Sequence, residues 1–395
     1  MERAANMNRA ANMRQSEKTR RQFSLFNIKA GGVDLTFLIL VLLLLTIGLI
    51  MLFSASYAYA YYNRGNSFAF ISNQLVYAVI GVVLMLLLST VEYKVLYNLA
   101  WPIMAVSLVL LAIVWKFGEK VNGARRWINL GFTNFQPSEI AKFAIVILFA
   151  RFIVDNYDKM KTFRHGILPF VGIMGIIVFL MMLEPHLSGT VLILAIGAVM
   201  MIVGGSNMKW FAFAAALGVL ALGVMVMIPG VIEYAMSRID SWRDPFLDPQ
   251  GKGFQTIQSL YAIGSGGLMG LGIGQSKQKY LYLPEPQNDF IFSIVCEELG
   301  FIGAAFIVLL FALLVWRGFV IGMRSRSRYG SLCAIGLTSQ VGIQAVLNIM
   351  VVTNTIPNTG ISLPFFSYGG TSLIMLLCQM GLVLSISRET AMEKL

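Results

Sequence analysis

Asp34-Leu35-Thr36-Phe37-Leu38-Ile39-Leu40-Val41-Leu42-Leu43-Leu44-Leu45-Thr46-Ile47-Gly48-Leu49-Ile50-Met51-Leu52-Phe53-Ser54 carries no charge after its first residue. A run this apolar and this long matches the roughly 17–25 residues that cross a bilayer. Similar windows follow at 71–89, 95–115, 137–154, 166–183, 188–204, 209–228, 289–316, 330–353 and 363–386. The pattern predicts an all-α polytopic membrane protein with ten transmembrane helices across residues 31–395. Only Glu184-Pro185-His186-Leu187 separates the fifth window from the sixth, which reads as a tight hairpin.

Composition agrees with that solvent. The 395 residues are 57% hydrophobic and 12% charged, against about 45–50% and about 25% in soluble domains. Cys296, Cys333 and Cys378 lie in apolar stretches without CxxC spacing, and His165 and His186 are the only histidines. A disulfide scaffold, a zinc protein and a haem protein are thereby excluded. Residues 1–30 are polar and basic, with no signal-peptide pattern. They contain a short repeat, Arg3-Ala-Ala-Asn-Met7 then Arg9-Ala-Ala-Asn-Met13. This tail reads as a disordered cytoplasmic segment touching anionic lipid, or else as a partner-binding helix.

The net charge of +11 would suggest nucleic acid in a soluble chain. Here the basic residues are dispersed between apolar runs, so nucleic-acid binding is not expected. They report topology instead. With both termini cytoplasmic, nineteen of the thirty lysines and arginines fall inside. Ten fall outside, gathered mainly in the segments 116–136 and 229–288. The second segment, between the seventh and eighth spans, is far longer than a usual connector. Six glycines from Gly264 to Gly274 crowd into it without any βαβ context, so a dinucleotide fingerprint is rejected. It reads as an ordered extracytoplasmic loop, folded or re-entrant, where irregular backbone can line a cavity.

Charged residues inside spans are costly unless paired or hydrated, so they are informative. Glu139 and Lys142 sit three apart in Gln136-Pro137-Ser138-Glu139-Ile140-Ala141-Lys142 and share one helix face. They form an ion pair that packs the bundle, a polar floor for a substrate cavity, or both. Arg125-Arg126-Trp127 follows the third span. Tryptophan suits the interface, and arginine holds phosphate bidentately, either as general headgroup contact or as recognition of a phosphorylated lipid. Leu283-Pro284-Glu285-Pro286-Gln287-Asn288-Asp289-Phe290-Ile291-Phe292 opens another span. Asp289 there is either a helix N-cap or a functional carboxylate whose basicity desolvation and Glu285 would raise. Glu297 and Glu298 lie about 12–13 Å deeper along that helix and should pair with other helices. Pro364 and the pair Gly369-Gly370 point to a broken helix beside a cavity or to close helix packing. This inventory suits a lipid-phosphate substrate at the outer leaflet, without separating an enzyme from a transporter.

Taken in order, Asn122–Ile128, Gln136–Lys142, Glu184–Thr190, Leu283–Gly300 and Leu363–Gly370 resemble the FtsW/RodA/SpoVE (SEDS) family of bacterial morphogenesis proteins. Tyr280–Gly300 is most similar to the FtsW and SpoVE branches. The resemblance implies ten helices and peptidoglycan glycosyltransferase activity on lipid II, with a class B penicillin-binding protein as partner. It places the catalytic aspartate at Asp289 and further matched charges at Arg126, Glu139 and Lys142. Many relatives have Pro-Asp-x-Gly-Thr where this chain has Pro185-His186-Leu187-Ser188-Gly189-Thr190. Gln287 stands where many carry histidine, which excludes a histidine-assisted proton path there.

The expected chemistry is inverting glycosyl transfer. Asp289 acts as general base on the acceptor 4-hydroxyl, and undecaprenyl pyrophosphate leaves the growing glycan. Arg126 and Lys142 would meet the leaving-group charge, with Arg125, Arg243 and Lys277 as further substrate-binding cations. A divalent cation, Mg or Mn, could share this work, although no acidic cluster specifies one. The rivals are a lipid II flippase, which should show paired repeats and a polar path, and a noncatalytic scaffold in which Asp289 is dispensable. Septal and sporulation wall synthesis both fit.

Overall fold

The computed structural model describes residues 32–121, 124–129, 131, 134–184, 187–211, 240, 242–251 and 253–391. The basic tail at 1–30, nearly all of the expected span at 209–228, Arg238 and His186 lie outside the described residues.

The helices are α1 (Leu35–Arg64), α2 (Ala69–Thr90), α3 (Val95–Phe117), α4 (Pro137–Asp155), α5 (Leu168–Leu183, preceded by one turn at Phe163–Gly166), α6 (Leu187–Val203), α7 (Phe254–Gly266), α8 (Ile291–Arg324), α9 (Arg328–Val352) and α10 (Gly370–Ala391). Among the described residues, seven helices are long and apolar enough to cross a membrane. The architecture is mostly helical but not all-α. The segment after α3 folds into a small antiparallel sheet of β1 (Glu119–Val121), β2 (Ala124–Asn129) and β3 (Asn134–Phe135) in the order β1-β2-β3. Helix α10 starts at Gly370 rather than at 363, because residues 363–369 form a turn that faces the interior. The loop expected at 229–288 contains a helix of its own, α7.

Hydrocarbon is as apolar as leucine, so hydropathy alone does not order the helices by burial; α2 and α3, at 2.2 and 2.0, are each 28% buried. Helix α1 is the most apolar, with a mean hydropathy of 3.0, and only 39% of that window is buried. Its Leu35, Ile39, Leu43 and Ile50 face outward. Helix α9, at a mean hydropathy of 1.6, is 61% buried. Helix α4 is enclosed by α3, α6 and α9, and every residue from Ala144 to Ala150 has no exposed surface. That enclosure lets α4 carry Glu139 and Lys142 inside the bundle.

Helices α2 and α10 pack closely because glycine leaves room for the neighbour. A Cβ at Gly370 would lie 2.5 Å from the Tyr77 ring, and one at Gly381 would lie 2.5 Å from the Met85 carbonyl oxygen. At its end, α1 is fixed by Asp34, which caps Phe37 and takes a forked pair from Arg317 at 3.0 and 2.6 Å.

Helix α8 breaks at Gly300, where φ is 68°. The glycine-rich segment after α7 fills the break: Phe301 donates to the Gly267 carbonyl at 2.9 Å and Gly272 to the Glu298 carbonyl at 3.0 Å. A Cβ at Gly270 would stand 2.2 Å from the Glu298 carbonyl oxygen, so the glycine cluster serves close backbone approach. Glu297 and Glu298 anchor the same segment. Glu297 accepts from the Ser276 hydroxyl and from the Lys277 amide at 2.9 Å. Glu298 accepts from Ser54 of α1 at 2.7 Å and from Lys279 Nζ at 3.0 Å. Glu298 pairs with another helix as expected, through Ser54 of α1, whereas Glu297 bonds the non-helical segment before Asp289.

Candidate functional site

A cavity of about 770 Å³ opens between α2, α4, α6, β2, the segment before α8 and the turn before α10. That volume suits a substrate of drug-like size or larger. Arg126, Glu139, Lys142 and Asp289 all line it.

Asp289 sits on the short connection that leads into α8. The N-cap position of α8 is Phe290, with no side-chain capping bond, so Asp289 is not the helix cap. Its backbone is clamped instead: Asn348 of α9 donates Nδ2 to the Asp289 carbonyl at 2.7 Å and to the Ile361 carbonyl at 2.6 Å. The preceding residues are held in the same way. Ser367 Oγ donates to the Asn288 carbonyl at 2.7 Å, and the Tyr368 amide to the Gln287 carbonyl at 2.9 Å. Gln74 of α2 fixes the turn in turn, bonding the Ser367 carbonyl at 3.3 Å and the Gly369 amide at 3.2 Å. Glu285 and Phe365 both hold positive φ, at 45° and 67°. Such backbone strain persists where surrounding contacts over-determine it.

Among the described residues, the Asp289 carboxylate accepts no hydrogen bond. It is half-buried and faces the cavity, with Gly360 against it: a Cβ there would stand 3.0 Å from Oδ2. Exclusion of water pushes its pKa up to about 6, the nearby Glu285 charge adds to this, and Arg126 opposes it. A carboxylate tuned close to neutrality and open on its reactive side is suited to general-base work.

Glu139 and Lys142 form a closed pair deeper in the cavity. Lys142 Nζ is 2.8 Å from each Glu139 oxygen and 3.3 Å from Gln344 Oε1. Gln344 also donates Nε2 to the Ser362 carbonyl at 3.0 Å. The pair is thus an ion pair that also forms part of the cavity wall.

Consecutive strand residues project to opposite faces. On β2, Arg126 lines the cavity, whereas Arg125 is exposed and donates to the Lys116 carbonyl at 3.2 Å. Arg125 thus caps the end of α3. Arg243 and Lys277 are exposed and do not line the cavity. The Lys277 contribution is its backbone amide, given to Glu297. These three cations are not brought to Asp289.

The structure adds residues that sequence reading missed. Gln340, Gln344 and Asn348 recur every four residues on α9 and form one polar face. That spacing, inside a span, was the available signal. Glu184 is 1% exposed, and burial pushes its pKa up to about 8 against the opposing charge of Arg126. Among the described residues, no cluster of three or more His, Cys, Asp or Glu gathers that could hold a metal ion.

Comparison with known proteins agrees with this geometry. The family model for the cell cycle proteins FtsW, RodA and SpoVE matches residues 34–392. Stage V sporulation protein E of Bacillus subtilis is 43% identical, over 83% of this chain and 89% of its own length. The probable peptidoglycan glycosyltransferase FtsW of Geobacter sp. strain M18 is 37% identical, over 82% and 88%. A solved chain from work on polymerization and crosslinking by a peptidoglycan synthase complex superposes with a TM-score of 0.74 at 30% identity, covering 91% of this chain and 98% of that one. The crystal structure of RodA from Thermus thermophilus gives 0.66 at 28% identity, covering 91% and 97%. A match running from the first described span to the last, with the charged cavity inside it, places the protein: it belongs to the FtsW/RodA/SpoVE family.

Proposed function

We propose that this chain is a peptidoglycan glycosyltransferase of the cell membrane that polymerises lipid II for septal or sporulation wall synthesis. The observation that carries the reading is Asp289: a carboxylate near neutrality, facing a cavity of about 770 Å³ with Arg126 on the same wall.

In this reading the acceptor 4-hydroxyl gives its proton to Asp289. The oxygen attacks the anomeric carbon of the growing strand with inversion. The bond from that carbon to the pyrophosphate oxygen breaks, and undecaprenyl pyrophosphate leaves with the electron pair. Arg126 meets the charge that develops there. Arg126 lines the cavity and its charge bears directly on Asp289, so we assign the leaving group to Arg126. A divalent cation, Mg or Mn, would enter with the pyrophosphate, whose oxygens suit hard cations. Running the assay in EDTA tests that.

The apolar windows of the sequence support ten spans, and the lysine and arginine distribution supports both termini cytoplasmic with Asp289 on the outer side. The partner we propose is a class B penicillin-binding protein. Support comes from a similar chain that belongs to a peptidoglycan synthase complex.

The deciding experiment is glycan polymerisation from lipid II by the purified protein, with and without its partner. Asp289→Asn should stay folded and form no strands. Wild-type rates in that variant would overturn the base assignment. Lipid II transport without polymerisation would favour the flippase reading.

A further inference from the structure

Arg64 lines the cavity as well as Arg126 and Lys142. It is the last residue of α1, and Asn63 of the same turn and Phe70 and Asn73 of α2 line the cavity with it. Its guanidinium lies over the Phe70 ring, 4.3 Å from the centroid. Phe70 is 5% exposed and meets the Tyr368 ring edge-on, with centroids 4.9 Å apart. Tyr368 gives its amide to the Gln287 carbonyl at 2.9 Å. Arg64 therefore stands on an aromatic shelf joined to the connection that carries Asp289.

The end of α1 does not use this guanidinium. The Gly65 amide closes the last turn on the Tyr61 carbonyl at 2.9 Å, and Asn63 Nδ2 satisfies the Tyr59 carbonyl at 3.0 Å. Among the described residues, Arg64 forms no hydrogen bond and no ion pair. Lys142 differs, because Glu139 neutralises it at 2.8 Å. Stacking holds the plane of an arginine fork and leaves its N–H donors for an oxyanion, which the fork binds bidentately.

Position says which anion. Arg126 is close enough to act on the Asp289 charge, and Arg64 is not. Transfer between two lipid-linked sugars brings two pyrophosphates to the cavity. The donor's is attached at the reacting bond and leaves from there. The acceptor's is retained, and a disaccharide separates it from the 4-hydroxyl that meets Asp289. One cation beside the carboxylate and one away from it match that pair.

We infer that Arg64, on its Phe70 shelf, is a second oxyanion site of the cavity and binds the pyrophosphate that the acceptor keeps. The inference rests on the glycosyltransferase reading and deepens it by separating the acceptor's charged end from the donor's.

The test uses the full chain in zwitterionic detergent, with farnesyl pyrophosphate as the probe and calorimetry as the readout. Wild type should take up two equivalents, Arg64→Ala and Arg126→Ala one each, and the double variant none. In polymerisation, Arg64→Ala should raise KM for lipid II about tenfold or more, the worth of a charge-assisted hydrogen bond, with a smaller change in kcat. Arg64→Lys keeps the charge without the fork and should recover part of the affinity. Arg64 is exposed, so both variants should fold, and a thermal melt checks this. Two equivalents and an unchanged KM in Arg64→Ala would overturn the site and leave the proposed function standing. Displacement of the second equivalent by phosphatidylglycerol would assign Arg64 to general headgroup contact and overturn the site. So would a KM penalty that vanishes with lipid II whose stem-peptide carboxylates are amidated, since Arg64 would then bind the peptide. A second equivalent that depends on Arg64, in a protein that polymerises nothing, would keep the anion site and overturn the function.

Discussion

Asn348 spends both hydrogens of its side-chain amide on two backbone carbonyls, Asp289 at 2.7 Å and Ile361 at 2.6 Å. It has no exposed surface. One residue of α9 thereby joins the connection carrying Asp289 to the adjacent segment before α10. Asp289 needs this because its own side chain must stay open to the substrate. Its position is therefore set through its backbone.

Asn348→Asp keeps the shape and removes the donors. Leaving buried carbonyls unmatched costs roughly 1–3 kcal/mol, so the melting temperature should fall. Polymerisation should fall further, by tenfold or more in kcat with little change in KM, as expected when a reacting group is misplaced. An Asp variant with full activity would show that the clamp does not position Asp289.

Activity should follow the ionisation of Asp289. A base must be deprotonated, so the rate should rise with pH through about 6 and then level off. Arg126→Ala removes the charge that lowers this pKa and should move the midpoint up. Glu285→Gln removes a charge that raises it and should move the midpoint down. Stability has the opposite sense. The folded pKa is raised from 3.8 to about 6, so ionisation disfavours the fold and stability drops as pH rises through that window. Asp289→Asn should accordingly melt higher than wild type at pH 8 and not at pH 4. Midpoints that shift together in the two charge variants would refute this electrostatic account.

Gly360 has φ of 71° and would place a Cβ 3.0 Å from Asp289 Oδ2. Gly360→Ala should lose about 1–2 kcal/mol from the left-handed backbone. It should also slow polymerisation by crowding the carboxylate. A pH profile on this variant checks that the loss is local to Asp289, since its midpoint should move while KM holds.

The Lys279–Glu298 pair, at 3.0 Å and nearly without exposed surface, ties the segment after α7 to α8 and α1. Breaking a buried pair from one side costs roughly 3–5 kcal/mol. Lys279→Met and Glu298→Gln should each destabilise strongly, and the double variant less than the sum of the two. A double-mutant cycle by thermal melt measures that coupling. Additive effects would mean the two side chains act separately.

Much of the site was legible before any coordinates. Asp289, Glu139 and Lys142 stand out because a charge near or within a span requires a reason, and Arg126 stands out through the family resemblance. Lysines and arginines in loops carry no such constraint, so the sequence offered Arg125, Arg243 and Lys277 as further cations beside Arg126, and of these four only Arg126 lines the cavity. The small sheet was hidden because its strands are two to six residues long, too short for alternation to register.

Apolar run length alone marks this chain as a bundle of membrane helices, because backbone in hydrocarbon must satisfy its own hydrogen bonds. The rarity of charge then singles out Asp289. Which helices become central is a different matter. Lipid-facing and protein-facing sides of α1 are equally apolar, so no periodicity distinguishes Leu43, which is exposed, from Leu44, which is fully buried. Neighbours settle that. Packing also brings α9 against the connection before α8, so that Asn348 grips a residue fifty-nine positions away. A local pattern of residues cannot encode that distance.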